Sequence, residues 1–365
     1  MIKFIRQPKV IENLHSANRK MSLPEGKIFK ALDKEFIKRL FERKKKLFFP
    51  LMKAEISDIK IERISPVWAQ RTCLARYKVF FNDGSSKIIR GTAKADSSRK
   101  WSFRVMRYLY KNGFSKGKFI VPKSLDYIDE NYLFIYEEMS GKPLSYIIDK
   151  NKYSLKFSKD VAELLFKIHS FKNIKLKKKA LIFDRKDYLK TYEKIKKIFP
   201  HAADLFPIKK LHFVQELKEG FSFIHGDFYT GNIIIGKNKI IIIDCDKSGQ
   251  GPILYDLASF CYCFEFPKSI WPLHLSKKNI NRYQHIFLKS YAKMANLDLS
   301  QLKGVLNKYM AKVFLNALNY YTGLAYEGWS VLTKKEKNIY FTQIKNLLGK
   351  ANYYLKKYEN FIRGF

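Results

Sequence analysis

Three polar side chains surround two runs of isoleucine in the stretch "HGDFYTGNIIIGKNKIIIID" (225–244). Asn232 follows Asp227 by five residues, and Asp244 ends the second run. Carboxylate and amide oxygens suit Mg²⁺, which keeps water and phosphate as its other ligands. A further carboxylate beside such an ion can accept a proton from a hydroxyl group. These residue types therefore indicate phosphoryl transfer.

The two isoleucine runs predict a β-hairpin with its turn at Lys237-Asn238. In a two-residue turn Gly236 faces Lys239, and pairing back along the strands sets Asn232 opposite Ile243. The hairpin therefore predicts that the polar groups on both sides of its open end lie together.

Asp244 would then neighbour Asn232 within about 4.5–8 Å. Gly226 allows a tight turn before Asp227, and His225 can hold that loop by a hydrogen bond. In the alternative interpretation Asp227 and Asn232 are ordinary turn residues and Asp244 caps a strand. Polar groups at the end of a buried hairpin need partners, which favours the functional interpretation.

The elements that must position these residues follow a simple order. Alternating patterns predict an antiparallel meander, then a helix at 99–114 and two more strands joined by "IDEN". Long helices dominate after Gly141. We predict a basic helical extension (1–54), a nucleotide-binding sheet lobe (55–139) and a helical lobe with the catalytic loop and acceptor site (140–365). The three strands of the meander are predicted at 55–64, 73–81 and 86–95.

The N-terminal segment has one apolar helical face, formed by Phe29, Leu32, Phe36 and Leu40, followed by a lysine cluster at 44–46. It predicts either a helix packed on the body of the protein, which we favour, or a helix on an anionic membrane surface.

Composition narrows the class of protein. The 365 residues carry 71 Lys+Arg against 33 Asp+Glu, a formal net charge of +38, which attracts phosphates or anionic membranes. The four cysteines lack zinc or redox spacing, and no nucleic-acid motif occurs. Without a signal-peptide run or an apolar stretch of about 20 residues, we expect a cytoplasmic protein, soluble or peripheral at the inner membrane face.

The sequence resembles the aminoglycoside phosphotransferase and choline kinase-like family. The resemblance rests on His225-Gly226-Asp227, on Asn232, on Ile243-Asp244 and on "GQGPILYDLASF", which contains Asp256. It implies an α+β, bilobal protein-kinase-like fold with a small antiparallel-sheet N-lobe and a larger helical C-lobe.

The resemblance also implies roles for single residues. Asp227 would be the catalytic base, Asn232 and Asp244 would bind Mg²⁺, and Asp256 would brace the catalytic loop. Lys94 would hold the α- and β-phosphates of ATP.

Backbone groups of Glu137 to Met139 would contact adenine, by the same resemblance. His169 in "ELLFKIHSF" belongs to a recurrent helix of the family and is interpreted as structural.

Two features depart from the family. In the family a glutamate on the first helix usually pairs with the strand lysine. Here that position falls near Ser102, so we expect Lys94 to lack its usual orienting partner. The phosphate loop "SPVWAQRT" (65–72) contains no glycine.

We therefore predict an ATP- and Mg²⁺-dependent phosphotransferase acting on a hydroxyl of a small molecule. The region from residue 277 carries few acids, which favours a neutral or anionic acceptor over a polycation. A small amine such as choline is also consistent with the sequence as an acceptor, because Asp246, Glu265 and Glu327 could bind its ammonium group. The alternatives are a nucleotide-binding scaffold without turnover, and a membrane-surface kinase acting on an envelope glycan or lipid headgroup. The acidic residues of the region from residue 277 onward are Asp298, Glu327, Glu336 and Glu359.

Overall fold

The chain divides into two compact units. We call residues 19–141 and 234–246 the sheet unit, and residues 142–233 and 247–365 the helical unit. The computed structural model describes residues 26–65, 72–96, 98–150, 153–171, 180, 182, 184–214, 221–265, 275–330 and 332–364.

The strands, in chain order, are β1 (Ile56–Arg63), β2 (Thr72–Phe81), β3 (Ser86–Lys94), β4 (Phe119–Ile120), β5 (Ser124–Ile128), β6 (Leu133–Glu137), β7 (Lys142–Pro143), β8 (Phe221–Ile224), β9 (Ile233–Ile235), β10 (Ile240–Ile242) and β11 (Gly249–Pro252).

The α-helices are α1 (Lys34–Arg43), α2 (Lys45–Phe48), α3 (Ser98–Lys111), α4 (Leu144–Asp149), α5 (Leu155–His169), α6 (Arg185–Ile198), α7 (Pro200–Ala203), α8 (Ile253–Glu265), α9 (Lys277–Ala295), α10 (Leu299–Glu327) and α11 (Lys334–Arg363). Short 3-10 helices cover Ile28–Leu32, Asp129–Asn131 and Ile208–Val214.

The sheet unit is built on a five-stranded antiparallel sheet in the order β1-β2-β3-β6-β5. The meander, the following helix and the two later strands are confirmed. Alternate residues of β2 point into the core, among them Tyr77, which is fully buried. A Cβ at Gly91 on β3 would lie 2.6 Å from the Tyr77 ring, so glycine makes room for this side chain.

The N-terminal segment packs on this sheet. Leu40 is buried in the sheet-unit core, and Phe29, Leu32 and Phe36 are partly buried against it. The single predicted helix is instead broken at Asp33, whose side chain accepts a hydrogen bond from Phe36 N and begins α1. Because the apolar face is covered by the protein's own core, the alternative of a membrane-facing stripe is wrong.

The two isoleucine runs pair as neighbouring strands and are joined by the predicted turn. Gly236 N donates to Lys239 O at 2.8 Å, so Lys237 and Asn238 are the turn residues. Strand β10 also pairs in parallel with β4, which the sequence did not predict. Strand β9 begins one residue after Asn232, and strand β10 ends one residue before Ile243.

The helical unit consists mainly of packed helices. The helix predicted near 154–170 is α5, which packs on α9, while the long helices α10 and α11 pack together. An antiparallel pair of short strands, β8 and β11, was not predicted. Among the described helices, none has the length and apolar character that a membrane span requires.

Candidate active site

Asp227 lies in the loop that follows β8. Its Oδ1 accepts a hydrogen bond from Lys247 Nζ at 2.7 Å, and its side chain is 31% exposed. Its backbone oxygen accepts from Asn232 Nδ2 at 3.0 Å. Phe228, fully buried against Phe260, anchors the loop in the core. The loop therefore presents a partly exposed carboxylate from a fixed backbone.

The turn before Asp227 requires glycine. Gly226 has φ 74°, and a Cβ there would lie 2.4 Å from the backbone oxygen of Lys247. His225 holds the loop through its ring, because Asp227 N donates to His225 Nδ1 at 3.3 Å. Ser248 Oγ donates to the His225 backbone oxygen.

Asp256, in the first turn of α8, is fully buried beneath this loop. Its carboxylate accepts hydrogen bonds from the backbone N–H groups of His225 (2.7 Å) and Gly226 (2.9 Å). His169 Nε2 lies 3.2 Å from the same carboxylate, and its Nδ1 is bonded to Tyr291. Asp256 thus ties the loop to α5 and α8, and His169 takes part in this support rather than in the site.

Two other ionisable side chains near Asp227 are poor bases. Burial raises the pKa of Tyr255 to about 12 and that of Cys263 to about 11. The Tyr255 hydroxyl also accepts a hydrogen bond from Asn316 Nδ2 at 2.6 Å. At neutral pH both groups are protonated, which leaves the Asp227 carboxylate as the candidate base.

In the sheet unit, Lys94 at the end of β3 contacts two carboxylates. Its Nζ lies 3.2 Å from Asp96 and 3.3 Å from Asp246. Lys94 thus has carboxylate partners, although neither of them is the helix glutamate that is usual in the family. Asp246 lies in the segment after β10, far in the sequence from the helix that follows β3.

Asp244 has a left-handed backbone, with φ 62°. Such a conformation in a residue other than glycine costs about 1–3 kcal/mol and concentrates at functional sites. Arg99 Nη1 donates to its Oδ1 at 2.7 Å. At the position of the expected helix glutamate, Ser102 Oγ instead accepts from Cys245 N at 3.1 Å.

The segment predicted to contact adenine follows β6. Glu137 N donates to Lys123 O at 3.0 Å, so this N–H group is used within the sheet unit. The carboxylate of Glu138 pairs with Arg76 and Arg90. The phosphate loop at 66–71 lies outside the described residues.

Each unit offers groups suited to a cation or to phosphate. In the helical unit, the Asn232 amide nitrogen is bonded to Asp227, so the amide oxygen is the atom suited to a cation. In the sheet unit, Asp244 offers a carboxylate. Lys94 and Arg99 supply cationic groups in the sheet unit.

A model of the phosphotransferase enzyme family APH matches residues 78–295, more than half of the chain. The chain belongs to this family. No curated protein matches its sequence. The predictions of an APH-type phosphotransferase and of an α+β kinase-like fold are confirmed.

Solved structures similar to this APH-family protein include an amicoumacin kinase in complex with AMP-PNP, Ca²⁺ and Ami, at 18% identity and TM-score 0.57, covering 80% of this chain and 88% of that chain. An ethanolamine kinase of Plasmodium vivax is 16% identical with TM-score 0.56, covering 95% of both chains. A spectinomycin phosphotransferase in complex with ADP and spectinomycin is 15% identical with TM-score 0.57, covering 87% and 98%. At these identities the similarity shows the fold.

Sequence reasoning missed three residues that contact the predicted site of this APH-family chain: Arg99, Asp246 as the partner of Lys94, and Lys247. The signal for two of them was the run Asp244-Cys245-Asp246-Lys247, in which charged residues follow the predicted metal ligand directly. Arg99 had no such signal, because an arginine in the first turn of a basic helix is indistinguishable from a surface cation.

Proposed function

We propose that this protein transfers the γ-phosphoryl group of ATP to a hydroxyl group of a small molecule, in a reaction that depends on Mg²⁺. The proposal rests on the APH family membership and on one observation above all. Asp227 is held on both its carboxylate and its backbone, by Lys247 and Asn232, in a loop braced by buried Asp256.

The residues divide the chemistry between them. Bound Mg·ATP would supply the phosphoryl group and the neutralising charge, with Asn232 and Asp244 as the cation ligands and Lys94 on the phosphates. Asp227 would orient the acceptor hydroxyl and take its proton on the carboxylate. The acceptor oxygen would form a bond to phosphorus as the bond to the ADP oxygen breaks.

The acceptor is proposed to be neutral or anionic. Three of the four acids beyond residue 277 are committed to structural contacts. Asp298 caps α10, Glu336 completes a capping box at the start of α11, and Glu359 pairs with Lys210 and Arg363. A polycationic acceptor would need several such carboxylates available.

Small amines lose support for the same reason. Of the acids that could meet an ammonium group, Glu265 accepts from Gln284, Lys350 and Tyr354, and Asp246 contacts Lys94. Glu327 is exposed at the end of α10. We therefore place sugars, nucleosides and phosphorylated alcohols ahead of choline-like compounds.

The test is Mg²⁺-dependent nucleotide consumption by the wild type, with pooled hydroxyl compounds as acceptors. The pools would hold sugars, nucleosides, amino alcohols and aminoglycosides separately. Asp227→Ala should lower turnover by at least about 100-fold, while the control Asp204→Ala, at an exposed position, should not. Turnover that persists in Asp227→Ala would reject the assignment of the base.

The rival function is a nucleotide-binding scaffold without turnover. Its main support was the missing helix glutamate, and the contact between Lys94 and Asp246 removes much of that support. Nucleotide binding without consumption in every pool would favour the scaffold.

A further inference from the structure

The lysine at the end of β3 has two carboxylate partners of unequal burial. Asp96 is 59% exposed and Asp246 is 8% exposed, at nearly the same distance from Lys94 Nζ. An exposed pair is screened by water and holds a flexible side chain weakly. A buried carboxylate orients its partner more strongly, since few solvent configurations compete with the pair. Asp246 is therefore the partner that can fix Lys94.

Asp246 is itself fixed by the first turn of α3. Ser98 Oγ donates to Asp246 Oδ2 at 2.9 Å, and Arg99 Nη1 donates to Asp246 Oδ1 at 3.0 Å. Both carboxylate oxygens of Asp246 are thus engaged by neighbouring residues of one helix.

The same arginine nitrogen reaches a second aspartate. Arg99 Nη1 lies 2.7 Å from Asp244 Oδ1, and the arginine side chain is 11% exposed. Lys94, Asp246, Arg99 and Asp244 therefore form a row of alternating positive and negative charges within the sheet unit. We call these four residues the charge row.

Ser102 stands at the helix position where the family usually has the glutamate, but it contacts the backbone rather than Lys94. Ser102 is buried and accepts a hydrogen bond from Cys245 N, between the two aspartates of the charge row. A serine cannot reach a strand lysine as a glutamate does. Helix α3 instead holds the backbone that carries Asp244 and Asp246, and so acts on Lys94 through Asp246.

We propose that Asp246 is the positioning residue of Lys94 in place of the missing helix glutamate. Arg99 is then the residue that links α3 to the predicted cation ligand Asp244. This inference rests on the proposed function, because Lys94 matters only if it binds nucleotide phosphates. It explains how a chain without the helix glutamate retains a competent nucleotide site.

The test is equilibrium binding of a fluorescent adenine nucleotide, with and without Mg²⁺. Asp246→Asn should weaken binding about tenfold in both conditions, because Lys94 loses its contact with a buried charged partner. The nearly isosteric control Asp96→Asn removes the exposed partner of the same lysine and should change binding less than about twofold. The arm without Mg²⁺ separates the effect on Lys94 from any effect on the cation at Asp244.

A double-mutant cycle identifies the route of the effect. If Asp246 acts through Lys94, Asp246→Asn should cause no further loss in a Lys94→Met background. Ser98→Ala is a milder variant that leaves every charge in place, and it should weaken binding about threefold by releasing one oxygen of Asp246. Circular dichroism and urea unfolding of each variant would establish that it is folded.

The outcomes separate this inference from the proposed function. Wild-type binding in Asp246→Asn, or an effect fully additive with Lys94→Met, would overturn the inference and leave the function standing. The expected coupling, together with no transfer to any acceptor pool, would support the inference and reject the function. Absence of nucleotide binding by the wild type would overturn both.

Discussion

Lys247 Nζ lies 2.7 Å from Asp227 Oδ1, although the two residues are 20 positions apart. The backbone of Lys247 is close to the same loop, since its oxygen blocks any Cβ at Gly226. The ammonium group therefore holds Oδ1 of the proposed base, while Asn232 Nδ2 lies 3.4 Å from Oδ2, the oxygen that would accept the proton of an acceptor hydroxyl. In the proposed reaction it would also place a positive charge beside the group to which phosphate is transferred.

Replacing this lysine should slow the chemical step. We expect Lys247→Met to lower kcat by about 10- to 100-fold, with little change in nucleotide affinity, because the ammonium acts at the transferring group. Steady-state kinetics and nucleotide binding measure the two effects separately. The control Lys237→Met removes an exposed lysine from the hairpin turn and should retain wild-type kcat. An unchanged kcat in Lys247→Met would contradict the prediction.

The cation requirement should depend on Asp244. We expect Asp244→Asn to raise the Mg²⁺ concentration for half-maximal nucleotide consumption by at least about tenfold, because loss of an outer-shell partner alone costs about 10–100-fold. The titration starts from EDTA-treated protein, and Asp83→Asn in the β2–β3 turn serves as the control. Identical Mg²⁺ curves for Asp244→Asn and wild type would show that Asp244 is not a ligand.

Gly226 should tolerate no side chain. Its φ of 74° and the 2.4 Å approach to the Lys247 oxygen predict that Gly226→Ala loses about 1–3 kcal/mol of unfolding free energy and most activity. Gly323 in α10 provides the opposite case, since nothing lies within 4 Å of its Cβ position. Gly323→Ala should stabilise the protein by about 1 kcal/mol. Urea unfolding of both variants checks the contrast, and equal losses would refute it.

The buried carboxylate of Asp246, which we propose to orient Lys94, should lower the free energy of unfolding when it is ionised. Burial raises the pKa of Asp246, and neighbouring Asp244 adds to this effect, although Arg99 and Lys94 oppose it. The ionised form therefore costs stability at neutral pH, and Asp246→Asn should be at least as stable as the wild type at pH 7. In the variant, Lys94 still has Asp96 as a carboxylate partner, and Arg99 still has Asp244.

The pH dependence gives the sign of this effect. A raised pKa means that the folded state binds the proton more tightly than the unfolded state. The stability difference between Asp246→Asn and wild type should thus be greatest at neutral pH. It should narrow as the pH falls through the raised pKa of Asp246 towards the ordinary value of 3.8. Urea unfolding between pH 4 and pH 7 measures it, and a difference that widens on acidification would contradict the assignment.

The local pattern of the chain predicted most elements of the sheet unit. Three of them are the alternating burial on β2, the turn at Lys237-Asn238 and the helix after β3. Each of these features depends on the types of residues that are close together in the sequence. The short strands β4, β7, β8 and β11 were missed. A pair such as β8 and β11 depends on partners far apart in the sequence and carries too few residues for a periodic signal.

The sequence by itself determined the residue types of the site and their order, from Lys94 through Asp227 and Asn232 to Asp244. Spacing along one loop or hairpin is a local property, so Asp227, Asn232 and Asp244 could be proposed as site residues without a structure. Only the tertiary structure decided the partners. Lys94 meets Asp246 across 152 residues, and Asp256 meets the backbone of His225 across 31. Such pairs form because burying a charge requires a compensating partner from whichever element packs beside it, and no sequence spacing encodes that choice.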